Sequence, residues 1–272
     1  MMPDQEWLYV CIYSGTGDDV GILLPEVHYW AQDLPPADRW HFLRYVDMTG
    51  HHLRVRMRGT IKDVDCWYEA LDQLRGQLSS IKPRMMTRVL SDPLVPIGGG
   101  RVHVDLSFYS PELEKYAGRA GMDDAEELFT TSSNMCIDER VWEWGARYRL
   151  ARAVAFLRDV DRTLSDEPGD FARAVAQRWA QRMAWAGLAP HRISDQIPQI
   201  LDQIDGDIPA DTHTVADAHV WAARRHLLRQ PSYPLDVVHM HLNRTGLNPP
   251  EEGLAAYLAS YLINSRSHVM SI

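Results

Sequence analysis

Hydrophobic and polar residues alternate with a period of two in residues 51–58 and 101–109, and this period predicts β-strands. In residues 51–58, HHLRVRMR, the apolar residues share one face of the predicted strand and the basic residues share the other. The basic face consists of His52, Arg54, Arg56 and Arg58. Arginines in register repel one another, so this face predicts a carboxylate or phosphate nearby, which the planar guanidinium binds through two hydrogen bonds. An ordinary solvated face is the alternative.

The other elements of this half complete a known arrangement. Strands are predicted at 7–13, 40–47 and 101–109, and helices at 18–33 and 61–78. The order strand, helix, strand, strand, helix, strand is the ferredoxin-like pattern. In that pattern the first and third strands are central. We therefore expect the arginine strand in the middle of the sheet, with helices on its apolar face.

Residues beyond 118 predict helices almost throughout. The predicted helices cover 139–162, 170–185 and 213–229, with a short one opened by a capping box at Asp123 and Glu126 and ending at Phe129, and a last one that follows an Asn-Pro-Pro-Glu cap at 248–251. The fold class is therefore α+β, with a ferredoxin-like βαββαβ sheet half packed against a mainly helical half. The domain boundary is placed between 1–118 and 119–272.

Composition narrows the class of protein. A formal net charge of −9 argues against direct nucleic-acid binding or binding to an anionic membrane, since both need a broad cationic surface. No secretory leader and no run of about 18 apolar residues is present, so we expect a cytoplasmic protein. The three cysteines, Cys11, Cys66 and Cys136, are scattered, which favours reduced thiols. We expect neither a metal nor a cofactor.

Two further segments carry candidate polar residues. Glu112 and Lys115 lie one helical turn apart after the last strand. Glu112 is either a carboxylate held near the arginines or half of a local surface ion pair. Residues 129–133, FTTSS, offer hydroxyls for a peptide, with Ser133 as the candidate contact, or they cap the next helix, which is the commoner role.

His239 opens the segment HMHLNR at 239–244. On a helix His239 and Asn243 share a face, whereas His241 points elsewhere, which argues against a zinc site formed by the two histidines. The spacing favours one oriented imidazole with an amide beside it, and histidine exchanges protons near neutral pH. A structural histidine on a mostly apolar helix is the alternative.

Five motifs that span nearly the whole chain resemble, in the same order, the glutamate-elimination domain at the C-terminus of class I lantibiotic dehydratases. They also resemble its stand-alone relatives, the thiopeptide-type bacteriocin biosynthesis proteins. No single motif is specific. The motifs are WHFLRY at 40–45, HLRVR at 52–56, PExxKY at 111–116, AExxF at 125–129 and HMxxNR at 239–244.

The resemblance implies a reaction and its partners. A dehydratase subunit that uses glutamyl-tRNA attaches glutamate to Ser or Thr hydroxyls of a ribosomally made precursor peptide. The elimination domain then removes the α-proton and expels glutamate, leaving dehydroalanine or dehydrobutyrine. A homodimer is compatible with the sequence.

The family's site residues transfer onto Arg54, Arg56 and His239 as catalytic residues. The predicted substrate contacts are Arg44, Glu112, Lys115, Ser133, Asn243 and Arg244. Lys115 stands where family members commonly carry arginine. Lysine keeps the positive charge but lacks the planar guanidinium that donates two hydrogen bonds to one carboxylate.

Two other functions stay open. The first is a thiopeptide pyridine synthase, which joins two dehydroalanines by a formal [4+2] cycloaddition and needs no glutamyl pocket. The second is a non-catalytic subunit that presents the peptide to the glutamylating partner. Retention of Arg54, Arg56 and His239 together favours elimination.

Overall fold

The computed structural model describes residues 5–16, 19–47, 49–82, 102–208 and 213–269. Its contacts divide the chain into two compact units. The first comprises Met1–Pro111 with Phe129–Trp142, and the second comprises Glu112–Leu128 with Glu143–Ile272. The domain boundary between residues 118 and 119 stays a prediction.

The first unit contains a four-stranded antiparallel sheet in the order β2-β3-β1-β4. The first and third strands are central, and the ferredoxin-like prediction is confirmed. The strands are β1 (Gln5–Tyr13), β2 (Arg39–Val46), β3 (His51–Thr60) and β4 (His103–Leu106). The last strand is shorter than the predicted 101–109. Arg101 lies outside the described residues.

Three helices cover the apolar face of the sheet. They are α1 (Asp19–Gln32), α2 (Ile61–Glu69) and α3 (Leu71–Leu78). Leu53 and Val55 of β3 are buried there at 0% and 1% exposure. The prediction of one helix over 61–78 is wrong, because α2 ends at Glu69 and α3 begins at Leu71, with Ala70 as the cap residue between them. The Ala70 carbonyl accepts a hydrogen bond of 3.0 Å from the Trp30 indole of α1.

The next helix, α4 (Gly118–Asp138), is much longer than predicted. Asp123 lies inside it, so the predicted cap there and the end at Phe129 are wrong. Within the first unit its later residues follow the edge strand β2. Ser133 Oγ accepts a hydrogen bond of 3.3 Å from the Phe42 amide, and the Trp40 indole donates to Asn134 Oδ1 at 2.7 Å. The first contact satisfies a backbone amide that an edge strand would otherwise expose, and the second joins two side chains.

The second unit is helical around one apolar core. Its helices beyond α4 are α5 (Ala146–Leu164), α6 (Asp170–Arg178), α7 (Ala180–Trp185), α8 (Pro190–Ile193), α9 (Ile197–Asp205), α10 (His213–His226), α11 (Tyr233–Thr245) and α12 (Pro249–Val269). Buried Val154, Leu157, Val238 and Leu242 belong to this core. Two predictions are corrected: α5 begins only at Ala146, and the helix predicted over 170–185 breaks into α6 and α7 at Trp179.

The predicted cap before α12 is confirmed. Asn248 Oδ1 accepts from the Glu251 amide at 3.1 Å, and Glu251 Oε2 accepts from the Asn248 amide at 2.9 Å. Within the described ranges no helix is both long and apolar enough to cross a membrane. All three cysteines are free.

Candidate functional site

The arginine face is the side of β3 that carries Arg54, Arg56 and Arg58. The strand register places Tyr9 and His41 on either side of Arg56. The alternation predicted from the sequence therefore holds, with a basic residue at every second position and aromatic residues on the neighbouring strands. The face combines fixed positive charge with flat rings on which guanidinium groups stack.

Arg56 is held between two tyrosines. Its guanidinium carbon lies 4.6 Å from the ring centres of both Tyr9 and Tyr109. Its Nη1 lies 3.4 Å from His41 Nε2, whereas its buried Nε has no hydrogen-bond partner among the residues described. A buried N–H without a partner costs free energy, so the arrangement leaves a donor available for a ligand.

Arg54 is oriented by a neutral histidine. Its Nε donates to His52 Nε2 at 3.0 Å, and its guanidinium carbon lies 3.3 Å from the ring centre of Tyr45. His52 is fully buried, and burial lowers its pKa, so the neutral ring can accept from Arg54. The other ring nitrogen then donates to the Gly50 carbonyl at 3.2 Å.

The three arginines differ in their ionic partners. Arg58 pairs with Asp38, to which its Nε donates at 3.0 Å. Neither Arg54 nor Arg56 forms a salt bridge within the described part of the chain. Residues two apart on one face of a strand lie about 7 Å apart, so the two guanidinium groups can contact one small carboxylate ligand.

Arg44 lies on the other side of the sheet. Opposite Leu53 in the register, it shares the apolar face, and its guanidinium lies against Gly21 of α1, where an added Cβ would be 3.6 Å from Nη1. Neighbouring strands in register place Leu43, not Arg44, beside Arg54. The contact of Arg44 with the substrate of Arg54 and Arg56 stays a prediction, and this placement does not favour it.

Ser133 belongs to the first unit and is fully buried. It lies within α4, so the alternative that its segment caps a following helix is wrong. Its hydroxyl is engaged by the Phe42 amide, which makes it a packing contact in this structure. Its contact with substrate stays a prediction.

Glu112 and Lys115 belong to the second unit and pair with each other at 3.3 Å. The Glu112 side chain is 64% exposed. The structure therefore contains the local surface ion pair that the sequence offered as the alternative for Glu112. An exposed pair of this kind contributes about 0–1 kcal/mol to stability.

His239 lies on α11 in the second unit and faces a buried carboxylate. Its Nδ1 is 2.8 Å from Oε2 and 3.0 Å from Oε1 of Glu252, which is fully buried on α12. The Trp179 indole donates to the same Oε2 at 3.1 Å. The imidazole ring itself is 18% exposed. This geometry orients one histidine and leaves its other nitrogen without a hydrogen bond to any described residue.

Within the HMHLNR segment, His241 points away from the face shared by His239 and Asn243, as the helix period predicts. Asn243 is half-buried, whereas His241 is buried against the Phe156 ring at 4.3 Å between centres. Burial lowers the pKa of His241 well below its usual value. Arg244 is fully buried, and its Nη1 donates to the Met240 carbonyl at 3.0 Å. The contact of Arg244 with substrate stays a prediction.

Sequence reasoning missed Glu252 and Trp179. Glu252 directly follows the cap residue Glu251, and no periodicity in the sequence links it to His239, 13 residues earlier. Among the described residues, no group of three His, Cys, Asp or Glu side chains is arranged to hold a metal ion.

The family model for the lantibiotic biosynthesis dehydratase C-terminus matches residues 7–262, nearly the whole chain. The chain belongs to this family. The resemblance inferred from the five motifs is therefore confirmed. The comparison with curated proteins finds no match.

Solved structures share the fold at low identity. The tRNA-dependent lantibiotic dehydratase MibB from Microbispora sp. 107891 matches with a TM-score of 0.58 and 21% identity over 97% of this chain and 28% of MibB. The pyridine synthase TbtD from thiomuracin biosynthesis matches with a TM-score of 0.64 and 16% identity over 95% of this chain and 98% of TbtD. TsrL matches with a TM-score of 0.60 and 13% identity over 97% of this chain and 95% of TsrL. The chain thus spans little more than a quarter of MibB and nearly all of the other two.

Proposed function

We propose that this chain is an elimination enzyme that removes glutamate from glutamylated Ser or Thr residues of a ribosomally made precursor peptide. The products are free glutamate and a peptide with dehydroalanine or dehydrobutyrine. The observation that carries the proposal is the pair Arg54 and Arg56, which have no salt-bridge partner among the described residues. Both are already oriented by neighbouring rings.

The arginines suit the charge that this reaction creates. The bond between Cβ and the ester oxygen breaks, and its electron pair leaves with the glutamate as a carboxylate. Negative charge therefore develops on an oxygen that was neutral in the ester. Donors fixed in advance stabilise that charge more in the transition state than in the bound ester, which is the condition for faster chemistry.

His239 is assigned the proton transfer. The Cα–H bond of the modified residue must break as the Cα–Cβ double bond forms, and a neutral imidazole nitrogen can take that proton. Nδ1 of His239 faces Glu252, and Nε2 makes no hydrogen bond to a described residue. The roles of Arg54, Arg56 and His239 rest on the family's motifs together with these contacts.

The partners follow from the reaction. The substrate must already carry glutamate, so a glutamylating dehydratase subunit that uses glutamyl-tRNA has to act first. The solved structure of MibB, which shares this fold over 28% of its length, is that of a tRNA-dependent dehydratase. The elimination itself needs only the modified precursor peptide.

Pyridine synthesis is the second candidate. TbtD, whose printed name is a pyridine synthase, shares the fold with a TM-score of 0.64 over 98% of its own length. That reaction joins two dehydroalanines and releases no carboxylate. It gives no reason for a pair of arginines without carboxylate partners, and elimination is preferred for that reason.

Mass spectrometry of two synthetic peptides distinguishes the candidates. The first peptide bears one glutamylated Ser and is incubated with the purified protein alone. Loss of one whole glutamate, leaving dehydroalanine, is the expected result. If the ester survives and a second peptide with two dehydroalanines is cyclised instead, the protein is a pyridine synthase. Binding of both peptides without conversion of either would favour the peptide-presenting subunit.

A further inference from the structure

We propose that Glu252 is the positioning residue of His239. Its carboxylate holds the imidazole in the tautomer that carries the proton on Nδ1, so that Nε2 is the nitrogen that exchanges a proton with the substrate. The inference deepens the proposed function and rests on it. Its structural part, the tautomer and orientation of His239, can be tested without any substrate.

The two side chains meet in a single geometry. Both carboxylate oxygens of Glu252 face Nδ1, at 2.8 Å and 3.0 Å, so one N–H on that nitrogen can be shared between them. Glu252 is fully buried, whereas the imidazole is 18% exposed. The nitrogen that faces the protein interior is therefore committed to Glu252, and the exposed part of the ring lies elsewhere.

Trp179 fixes the role of the carboxylate. An indole N–H only donates, so the 3.1 Å contact from Trp179 makes Oε2 of Glu252 an acceptor. The same oxygen is the one closer to Nδ1 of His239. An ionised carboxylate accepts from both donors at once, and this requires the proton of the neutral imidazole to lie on Nδ1.

Glu252 has two hydrogen-bond donors and one cation beside it. Burial raises the pKa of Glu252, and the hydrogen bonds from His239 and Trp179 and the positive charge of Arg178 on α6 oppose this effect only in part. Arg178 is itself held by Asp236 of α11, with Nη2 donating to Oδ1 at 2.7 Å. The pair itself lies on α11 and α12, and Arg178 adds a positive charge from α6.

Close packing of α12 against Trp179 and Met183 brings Glu252 within hydrogen-bonding distance of His239. At Gly253, the next residue, an added Cβ would lie 2.5 Å from Met183 Sδ and 3.0 Å from the Cβ of Trp179. Only a residue without a side chain allows α12 to approach this closely. The turn before α12 also depends on glycine, because Gly246 ends α11 with a φ of 99°.

The wild-type protein gives the first test. In 15N NMR spectra recorded above about pH 8, where histidines are ordinarily neutral, His239 should show a protonated Nδ1 and an unprotonated Nε2. Assignment uses the signal lost in His239→Asn. A protonated Nε2 would overturn the proposal, whether or not the protein proves to eliminate glutamate.

Substitution gives the second test. Glu252→Gln is expected to lower kcat on the glutamylated peptide by on the order of 10²-fold, with KM changed by less than about threefold, because the imidazole loses its fixed tautomer. Glu252→Asp keeps the charge and should recover part of kcat. Glu251→Gln is the matched control, since that residue caps α12 and should alter Tm but neither kcat nor the His239 spectrum.

Three outcomes would contradict the role of Glu252. An unchanged kcat in Glu252→Gln would do so, as would an unchanged tautomer in that variant. If Glu251→Gln lost as much kcat as Glu252→Gln, the effect of Glu252 would be explained by a general contribution to stability. If the wild-type protein shows no elimination while its spectrum has the expected tautomer, the proposed function fails and the positioning of His239 by Glu252 stands.

Discussion

Replacing Arg56 with alanine tests the arginine face most sharply, because Arg58 offers a matched control on the same strand and the same face. Arg56 is stacked between Tyr9 and Tyr109 and has no salt-bridge partner among the described residues. Arg58 is paired with Asp38. If the free guanidinium stabilises the departing carboxylate, only the first substitution should greatly slow elimination.

The expected magnitude follows from the lost contacts. A guanidinium that binds a carboxylate through two charge-assisted hydrogen bonds contributes roughly 1.5–3 kcal/mol for each. Arg56→Ala should therefore lower kcat/KM by roughly 10²–10⁴-fold. Arg58→Ala removes a partly exposed ion pair worth about 0–1 kcal/mol, so its effect should stay below about fivefold. Arg56→Lys keeps the positive charge without the planar guanidinium, so its loss of kcat/KM should lie between those of Arg56→Ala and Arg58→Ala.

The assay follows glutamylated and dehydrated peptide over time by mass spectrometry. Arg56→Ala should accumulate the glutamylated form. It also loses two stacking contacts of about 0.5–1 kcal/mol each, so thermal unfolding must first establish that the variant is folded at the assay temperature. Equal effects of Arg56→Ala and Arg58→Ala in folded proteins, or normal dehydration by Arg56→Ala, would refute the assignment of the arginine face.

Three further predictions concern other parts of the chain. Arg44→Ala should lower kcat/KM by less than about fivefold, far less than Arg54→Ala, because Arg44 lies on the opposite face of the sheet; a comparable loss in the same peptide assay would contradict this. Asn248→Ala removes the cap of α12 and should cost about 1 kcal/mol, lowering Tm by about 2–4 °C; an unchanged Tm in calorimetry would contradict the cap. His241→Phe should make stability less sensitive to acid. The folded pKa of His241 is depressed by burial, so the protein loses stability as pH falls below the unfolded value of about 6.5, by at most about 1.4 kcal/mol per pH unit. Denaturant titrations at pH 7.5 and 5.5 measure this, and because His52 is kept in both proteins, equal losses in wild type and variant would refute the role of His241.

Local sequence patterns were sufficient to predict the sheet. A strand places every second side chain on one face, so the basic face of β3 follows from the sequence alone, and so does the ferredoxin-like order of elements. The cap of α12 is equally local, since Asn248 and Glu251 satisfy each other's amides. The five motifs identified the family because they depend on residue types in order and not on distances.

Helix boundaries depended on partners far along the chain. The break at Ala70 coincides with a hydrogen bond from Trp30, 40 residues earlier. The capping pattern at Asp123 is present in the sequence, but the backbone there continues as helix from Gly118. Short N-terminal capping signals occur by chance inside helices, and only packing decides at which of them a helix begins.

The sequence by itself determined which residue types carry the candidate chemistry: two arginines on one strand face and one histidine on a helix. The tertiary structure decided which neighbours tune them. It placed Arg44 on the opposite face through the strand register, stacked Arg56 between rings of β1 and the segment after β4, and brought Glu252 to His239 across the turn between α11 and α12. Spacing within one element is set by backbone geometry, whereas contacts between elements depend on register and on how closely helices pack, which a single sequence does not encode in any local pattern.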